Sequence, residues 1–138
     1  MAEIIRRLGL DIGERRVGLA LSESGIFASP HGVLHRKSKK QDFTHLQQIV
    51  TELKIDQLVI GVPYSLNSDD PVGPQARRVL RYAEALCQTL QIPCSCHDER
   101  YSTVDAQQYL TDAGRKKVPI DAAAAAVILQ SFLDSLDK

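Results

Sequence analysis

The stretch Leu8-Gly-Leu-Asp-Ile-Gly-Glu-Arg-Arg-Val-Gly-Leu-Ala-Leu21 predicts two short strands joined by a tight turn. Side chains alternate between the two faces of a strand, so the apolar residues share one face and Asp11 lies between Gly9 and Gly13 on the other. Glycines leave bare backbone on both sides of the carboxylate, which allows a large group to approach it. The alternative is an Asp that only starts a turn, since Asp and Gly are typical turn residues. Both interpretations stay open on this stretch alone.

The size and composition of the chain are those of one globular domain spanning residues 1–138. The chain has 138 residues, of which 43% are hydrophobic and 25% are charged. A domain of this length buries about two-thirds of its unfolded surface. Its 17 basic and 17 acidic residues balance, so no overall field indicates a nucleic-acid partner and local charges must be considered instead. No apolar run is long enough for a signal peptide or a membrane span, so we expect a cytoplasmic protein without a membrane partner.

The three cysteines predict no disulfide framework. Their number is odd, and Cys94 and Cys96 are separated by a single residue. Cys94, Cys96 and His97 lack the spacing of a zinc site, so we interpret the two thiols as buried strand residues. A reducing compartment is consistent with this pattern.

Hydrophobic periodicity predicts an antiparallel three-stranded meander followed by alternating helices and strands. After the first two strands the expected elements are a third strand from Ile26 towards Leu34, a helix over 42–54, a strand Leu58–Val62, a helix Pro74–Leu90, a strand Ile92–His97, a helix capped by Ser102 or Thr103, and a last helix Pro119–Leu136. Pro30 suits an edge strand or a bulge. The fold class is therefore α/β, with helices packed on a mixed five-stranded sheet.

Acidic residues occupy three places at the level of the sheet. Asp11 interrupts an apolar strand, Asp98 and Glu99 follow the last strand, and Asp121 heads the apolar stripe Ala125, Ile128, Phe132 and Leu136 of the final helix. Each has an ordinary explanation taken singly, such as a cap at the helix start for Asp121 or a surface ion pair for Glu99. Neighbouring strand residues point to opposite faces, so the sequence leaves open whether Asp98 or Glu99 points inward.

Clustered carboxylates without His or Cys companions are typical ligands of Mg²⁺ or Mn²⁺. Such ions activate water and stabilise the leaving oxygen in phosphodiester cleavage. Arg15, Arg100 and Lys116 are then candidates to hold substrate phosphates. The basic run over 36–40 is expected to be a solvated connection, with phosphate contact as the alternative.

Five segments resemble those of the YqgF (RuvX) family, in the same order. They are Leu8–Ala20, Val59-Ile-Gly-Val-Pro63, Gly73-Pro-Gln-Ala76, Asp98-Glu-Arg-Tyr-Ser-Thr103 and Ile120-Asp-Ala-Ala-Ala124. The resemblance extends from residue 8 to about residue 133. It implies a ribonuclease H-like fold and a resolvase-like, metal-dependent nuclease that matures the 5′ end of pre-16S ribosomal RNA during ribosome biogenesis.

Carried over by position, the resemblance implies that Asp11, Glu99 and Asp121 form the catalytic and metal-binding set. It implies structured nucleic acid as the substrate, with precursor rRNA favoured over branched DNA and pre-ribosomal particles as further partners. The loop 64–72 departs from the family pattern, which puts substrate contacts by Asn67 in doubt. The alternatives are a Holliday-junction-type DNA resolvase and a non-catalytic nucleic-acid-binding or ribosome-assembly factor.

Overall fold

The structure, a computed structural model, describes residues 4–66, 69–99 and 118–136. Its elements are β1 (Arg7–Ile12), β2 (Arg16–Ser22), β3 (Ser29–His35), α1 (Lys39–Glu52), β4 (Gln57–Val62), α2 (Gly73–Leu90), β5 (Cys94–Asp98) and α3 (Ile120–Ser135). The expected helix after Ser102 lies outside the described residues, as do Asn67, Arg100 and Lys116. None of the helices in these three segments is long and apolar enough to cross a membrane.

The five strands form one mixed sheet in the order β3-β2-β1-β4-β5. The first three strands pair antiparallel, whereas β4 pairs parallel with both β1 and β5. This arrangement confirms the predicted meander and mixed sheet. It also makes β1, which carries Asp11, the central strand.

The third strand is shorter than predicted. It begins at Ser29 rather than Ile26, because the Ser24 hydroxyl accepts hydrogen bonds from the backbone N–H groups of Ile26 and Phe27 and holds them in the turn. Pro30 lies on this edge strand beside a shift in the pairing register between Leu19 and Ala20. That position confirms the expectation of an edge or a bulge.

Helices cover both faces of the sheet. The apolar face of β1 packs with α1 and α2 into the larger core, in which Phe43 contacts Tyr82 edge to face at 5.2 Å between ring centroids. The Asp11 face is covered by α3, whose Ala125, Ile128 and Leu129 are buried there. The predicted α3 stripe is confirmed as far as Ile128, is partly buried at Phe132, and has ended at Leu136, which is exposed.

Helix α1 begins three residues before the expected position. The Ser38 side chain accepts a hydrogen bond from the backbone N–H of Gln41, which caps the helix, so the helical residues begin at Lys39. Part of the basic run is therefore helical rather than a loop. The buried strand β4 and the long helix α2 lie within one residue of their predicted bounds.

The prediction of unpaired, buried strand cysteines is wrong. Cys87 and Cys94 form a disulfide with a Cα–Cα distance of 6.3 Å, and Cys96 is exposed. Cys87 lies in the last turn of α2 and Cys94 is the first residue of β5, so the short connection brings them together. An odd cysteine count does not exclude one such local pair.

Candidate active site

Asp11 lies near the carboxyl end of the central strand, on the face covered by α3. Its partner in the antiparallel pairing is Gly18 of β2, and its side chain is partly buried. Burial raises the pKa of Asp11, and the negative charge of Asp121 raises it further. This strand therefore carries a carboxylate whose ionised form is disfavoured unless a positive charge is nearby.

The first turn of α3 approaches Asp11 through Gly18. A Cβ on Gly18 would overlap the backbone carbonyl oxygen of Asp121, so only a glycine permits the helix to start so close to the sheet. The Asp121 carboxylate accepts a hydrogen bond from Arg16 Nε at 3.0 Å and is partly exposed. Asp121 thus lies beside Asp11 but already has a cationic partner on β2.

Glu99 reaches the same face from the other side. It directly follows β5, and a Cβ on Gly61 would lie 2.7 Å from Glu99 Oε1, so the side chain extends over β4 in the direction of Asp11. The pKa of Glu99 rises to about 7, mainly through burial and then through the negative charges of Asp11 and Asp98. Glu99 and Asp11 therefore repel each other in the folded chain.

The structure separates Asp98 from Glu99. Asp98 pairs with Val62, which belongs to the core beneath α1 and α2, whereas His97 pairs with Gly61 on the α3 face. The His97 ring nitrogen Nε2 lies 2.8 Å from Ser131 Oγ, and this contact holds β5 against α3 two residues before Glu99. Glu99 is the acidic residue that shares the face of Asp11.

The role assigned to the glycines of β1 needs correction. A Cβ on Gly9 would lie 2.8 Å from the Cβ of Leu129, so α3 fills the space that the sequence suggested for a larger group such as a nucleic-acid backbone. The glycines that matter for Asp11 lie on the neighbouring strands, where Gly18 admits Asp121 and Gly61 admits Glu99. Their signal in the sequence was a small residue within each apolar strand.

The three predicted metal ligands differ in their contacts within the folded chain. Asp11 and Glu99 are oxygen donors whose pKa values are raised first by burial and then by neighbouring carboxylates, and a bound cation would favour their ionised forms. Asp121 is taken by Arg16. Within residues 4–66, 69–99 and 118–136, no three His, Cys, Asp or Glu side chains converge closely enough to hold a metal ion. Two carboxylates completed by water and phosphate are nevertheless typical of Mg²⁺.

Of the three basic residues predicted to bind substrate, the structure describes one. Arg15 is exposed in the turn between β1 and β2, at the same end of the sheet as Asp11. Arg100 and Lys116 lie outside the described segments. Sequence reasoning missed Arg16, since its partner Asp121 is 105 residues away and no local pattern connects the two positions.

Comparison with known proteins places this chain in a family. The family model for RuvX, described as a Holliday junction resolvase, matches residues 5–135. A relative from Thermoanaerobacter pseudethanolicus named "Putative pre-16S rRNA nuclease" is 38% identical, over 95% of this chain and 97% of its own. One of the same name from Nostoc sp. is 39% identical, over 97% of this chain and 91% of its own.

Solved resolvase structures share the fold. Thermus thermophilus RuvC, in complex with a Holliday junction, has a TM-score of 0.65 at 10% identity over 96% of both chains. A fowlpox virus resolvase in complex with Holliday junction DNA has a TM-score of 0.57 at 10% identity, over 97% of this chain and 100% of its own. At this identity the likeness concerns the fold alone, and it confirms the expected ribonuclease H-like architecture. Because the family model matches nearly the whole chain and close relatives cover almost all of it, the chain belongs to the RuvX (YqgF) family.

Proposed function

We propose that this protein is a metal-dependent endonuclease that cleaves structured nucleic acid, with the 5′ end of pre-16S rRNA as its substrate. One observation carries the proposal: two partly buried carboxylates, Asp11 on β1 and Glu99 directly after β5, repel each other on one face of the sheet. Such repulsion is costly to the fold, and it is typical of sites that are completed by a cation. The names of the close relatives support rRNA as the substrate.

Asp11 and Glu99 are proposed to hold the cation, Mg²⁺ or Mn²⁺. Asp121 stays beside Asp11 through its bond to Arg16, and is available as a further ligand when that bond opens. When bound, the cation supplies an activated water and stabilises the charge on the phosphodiester. The β1–β2 turn places Arg15 where it can contact the backbone of the substrate. Arg100 and Lys116 keep the same proposed role.

The remaining features follow from this activity. A single nuclease domain over 1–138, acting in the cytoplasm on precursor rRNA or pre-ribosomal particles, needs no membrane contact. A second substrate class, the four-way DNA junction, is favoured by the description of the family model. Both substrates present phosphodiesters in a branched or folded nucleic acid, so the same carboxylates would serve either one.

Cleavage assays on both substrates test the proposal. Labelled pre-16S 5′ leader RNA and a four-way DNA junction are incubated with Mg²⁺ or Mn²⁺ and the wild type, Asp11→Asn or Asp134→Asn. Asp134 is an exposed carboxylate near the other end of α3 and serves as the matched control. We expect metal-dependent cleavage of the RNA by the wild type and Asp134→Asn, and none by Asp11→Asn. Faster cleavage of the junction would assign the enzyme to DNA, whereas binding without cleavage by any variant would favour an assembly factor.

A further inference from the structure

A basic cavity lies on the face of the sheet opposite to the acidic residues. It has a volume of about 280 Å³ and lies between the β1–β2 turn, the start of α1 and the first half of α2. Four basic side chains line it: Arg36, Lys39, Arg78 and Arg81. Glu14 is the single acidic residue among the lining residues. Such a sign imbalance inside a concavity concentrates positive potential.

One of these basic side chains is fixed in the wall. Arg36 donates a hydrogen bond to the Gly13 carbonyl oxygen at 2.7 Å and lies 3.8 Å from the buried carboxylate of Asp42. Its guanidinium also stacks over the Tyr82 ring, 4.7 Å from the centroid. Arg36 therefore shapes the cavity, with part of its charge already balanced.

Among the described residues, the charges of the other basic side chains are not balanced by a close acidic partner. Arg78 lies 3.9 Å from Glu14, but both side chains are mostly exposed, so the pair contributes little. Lys39 and Arg81 form no ion pair with any residue in the described part of the chain. Two unbalanced cations, on α1 and α2, therefore face one small volume.

Tyr82 also lines the cavity, with its phenolic oxygen buried. Its side chain is 3% exposed, and its phenolic oxygen has no hydrogen-bond partner among the described residues. Burial raises the pKa of Tyr82 to about 12, with a further contribution from Asp42, so the hydroxyl keeps its proton as a donor. A buried group of this kind is usually satisfied by an ordered water.

The backbone at the cavity also favours an anion. Lys39 is the first residue of α1, and Gln75, the third residue of α2, lines the cavity, so two helix N-termini lie at its edge. The N-cap residue of α2, Val72, has no capping side chain, but the Asp70 carboxylate accepts a hydrogen bond from the backbone N–H of Gly73 at 3.2 Å. The positive ends of helix dipoles stabilise nearby negative charge, but Asp42 and Asp70 already meet part of that effect, so the basic side chains remain the main attraction for an anion.

The position of the cavity relates it to Asp11. Ile12 lines the cavity, and Asp11, the preceding residue, lies on the opposite face of the same strand. The exposed turn 13–15 directly follows β1 and lies between these two places. A strand of nucleic acid that crosses this turn would meet Asp11 on one side and the cavity on the other.

We propose that the cavity binds a phosphate group of the nucleic-acid strand, outside the nucleotides at the cleavage site. The inference rests on the proposed function for the identity of that strand. The cavity volume of about 280 Å³ lies just below the range for small-ligand sites, about 300–1,000 Å³, which suits a group as small as a phosphate with its sugar. Arginine, lysine and helix N-termini are the groups that recognise phosphate in proteins.

RNA binding by a paired set of variants tests this assignment. Lys39→Gln/Arg81→Gln removes the two unbalanced cations, and Lys40→Gln/Lys54→Gln removes two exposed lysines that do not line the cavity. Both are made in the Asp11→Asn background without divalent metal, so binding is measured apart from cleavage. We expect the first pair to weaken binding of a short single-stranded RNA about tenfold. The slope of log affinity against log salt should fall by about 0.7 to 1.4. The control pair should change the RNA affinity and the salt slope by less than the first pair does.

Equal effects of the two pairs, or no effect of the first, would overturn the assignment. Inorganic phosphate provides a second arm, in which the backbone amide signals of Gln75 and Val79 are followed by NMR. Saturable shifts in the wild type that disappear in Lys39→Gln/Arg81→Gln support the cavity as a phosphate site. Such shifts with unchanged RNA affinity would overturn the nucleic-acid source in favour of a free phosphate compound. A chain that binds RNA through the cavity but never cleaves would contradict the proposed nuclease alone.

Discussion

Replacing Glu99 with Gln should stabilise the folded protein at neutral to alkaline pH and abolish cleavage. The substitution keeps the shape of the side chain and removes one of two carboxylates that repel each other across the central strands. Its contact with Gly61 is retained, since the amide occupies the same space. A gain in stability together with a loss of activity is the signature of a residue kept for function.

The magnitude follows from the pKa of Glu99. The pKa rises from 4.5 to about 7 on folding, and each unit corresponds to about 1.4 kcal/mol. The upper bound is therefore about 3 kcal/mol, and partial exposure of the carboxylate to solvent reduces the expected effect to about 1–2 kcal/mol. Because the folded pKa exceeds the unfolded one, the wild type loses this stability as pH rises from about 4.5 to about 7. The unfolding free energy of Glu99→Gln does not fall in this way, because the Gln side chain does not ionise.

Urea unfolding at a series of pH values measures the effect. With EDTA present, Glu99→Gln should match the wild type near pH 4.5 and exceed it by about 1–2 kcal/mol above pH 7. Glu84→Gln, the same change at an exposed position on α2, should stay within about 0.5 kcal/mol of the wild type throughout. A Glu99→Gln protein that is less stable at pH 8, or whose difference from the wild type does not vary with pH, would refute the reasoning.

Three further predictions concern the groups around the acidic pair. Gly61→Ala places a Cβ against Ile128 and Glu99, so we expect it to lower the unfolding free energy by about 1–3 kcal/mol and to reduce cleavage. Gly32→Ala is the control and should leave cleavage unchanged, because a Cβ added there has no atom within 4 Å. Arg16→Gln removes a partly exposed ion pair, so the unfolding free energy should change by less than about 1 kcal/mol. Without Arg16, the charge of Asp121 raises the pKa of Asp11 further, so the acid limb of the cleavage pH profile should move to higher pH. The reduced protein should have an unfolding free energy about 2 kcal/mol lower than the protein with the Cys87–Cys94 disulfide, because the bond closes a short loop between positions seven residues apart. Equal stability of the two forms would contradict this.

The fold could be predicted because its determinants are local. The alternation in β1 and β2, the apolar run Leu58–Val62 of β4 and the helical periodicity of α2 each fix an element within a short window. The element order then restricts the topology. Element ends were less certain, because Ser24 and Ser38 set them through single side-chain hydrogen bonds.

The site could be predicted only in outline. Asp11 stands out because a carboxylate in an apolar strand is costly, but the side chain of Glu99 was assigned through the family resemblance and not through the residues themselves. The Arg16–Asp121 pair and the space beside Gly18 and Gly61 arise where elements distant in sequence meet. The Cys87–Cys94 disulfide depends in the same way on the packing of α2 against β5.

Diffraction at the manganese absorption edge tests the central claim most directly. Crystals of the wild-type protein are grown with Mn²⁺ and a non-cleavable analogue of the pre-16S 5′ leader. We expect an anomalous peak in contact with the carboxylates of both Asp11 and Glu99 and with a substrate phosphate, and no such peak in Glu99→Gln. Bound RNA with manganese absent from these two carboxylates would contradict it.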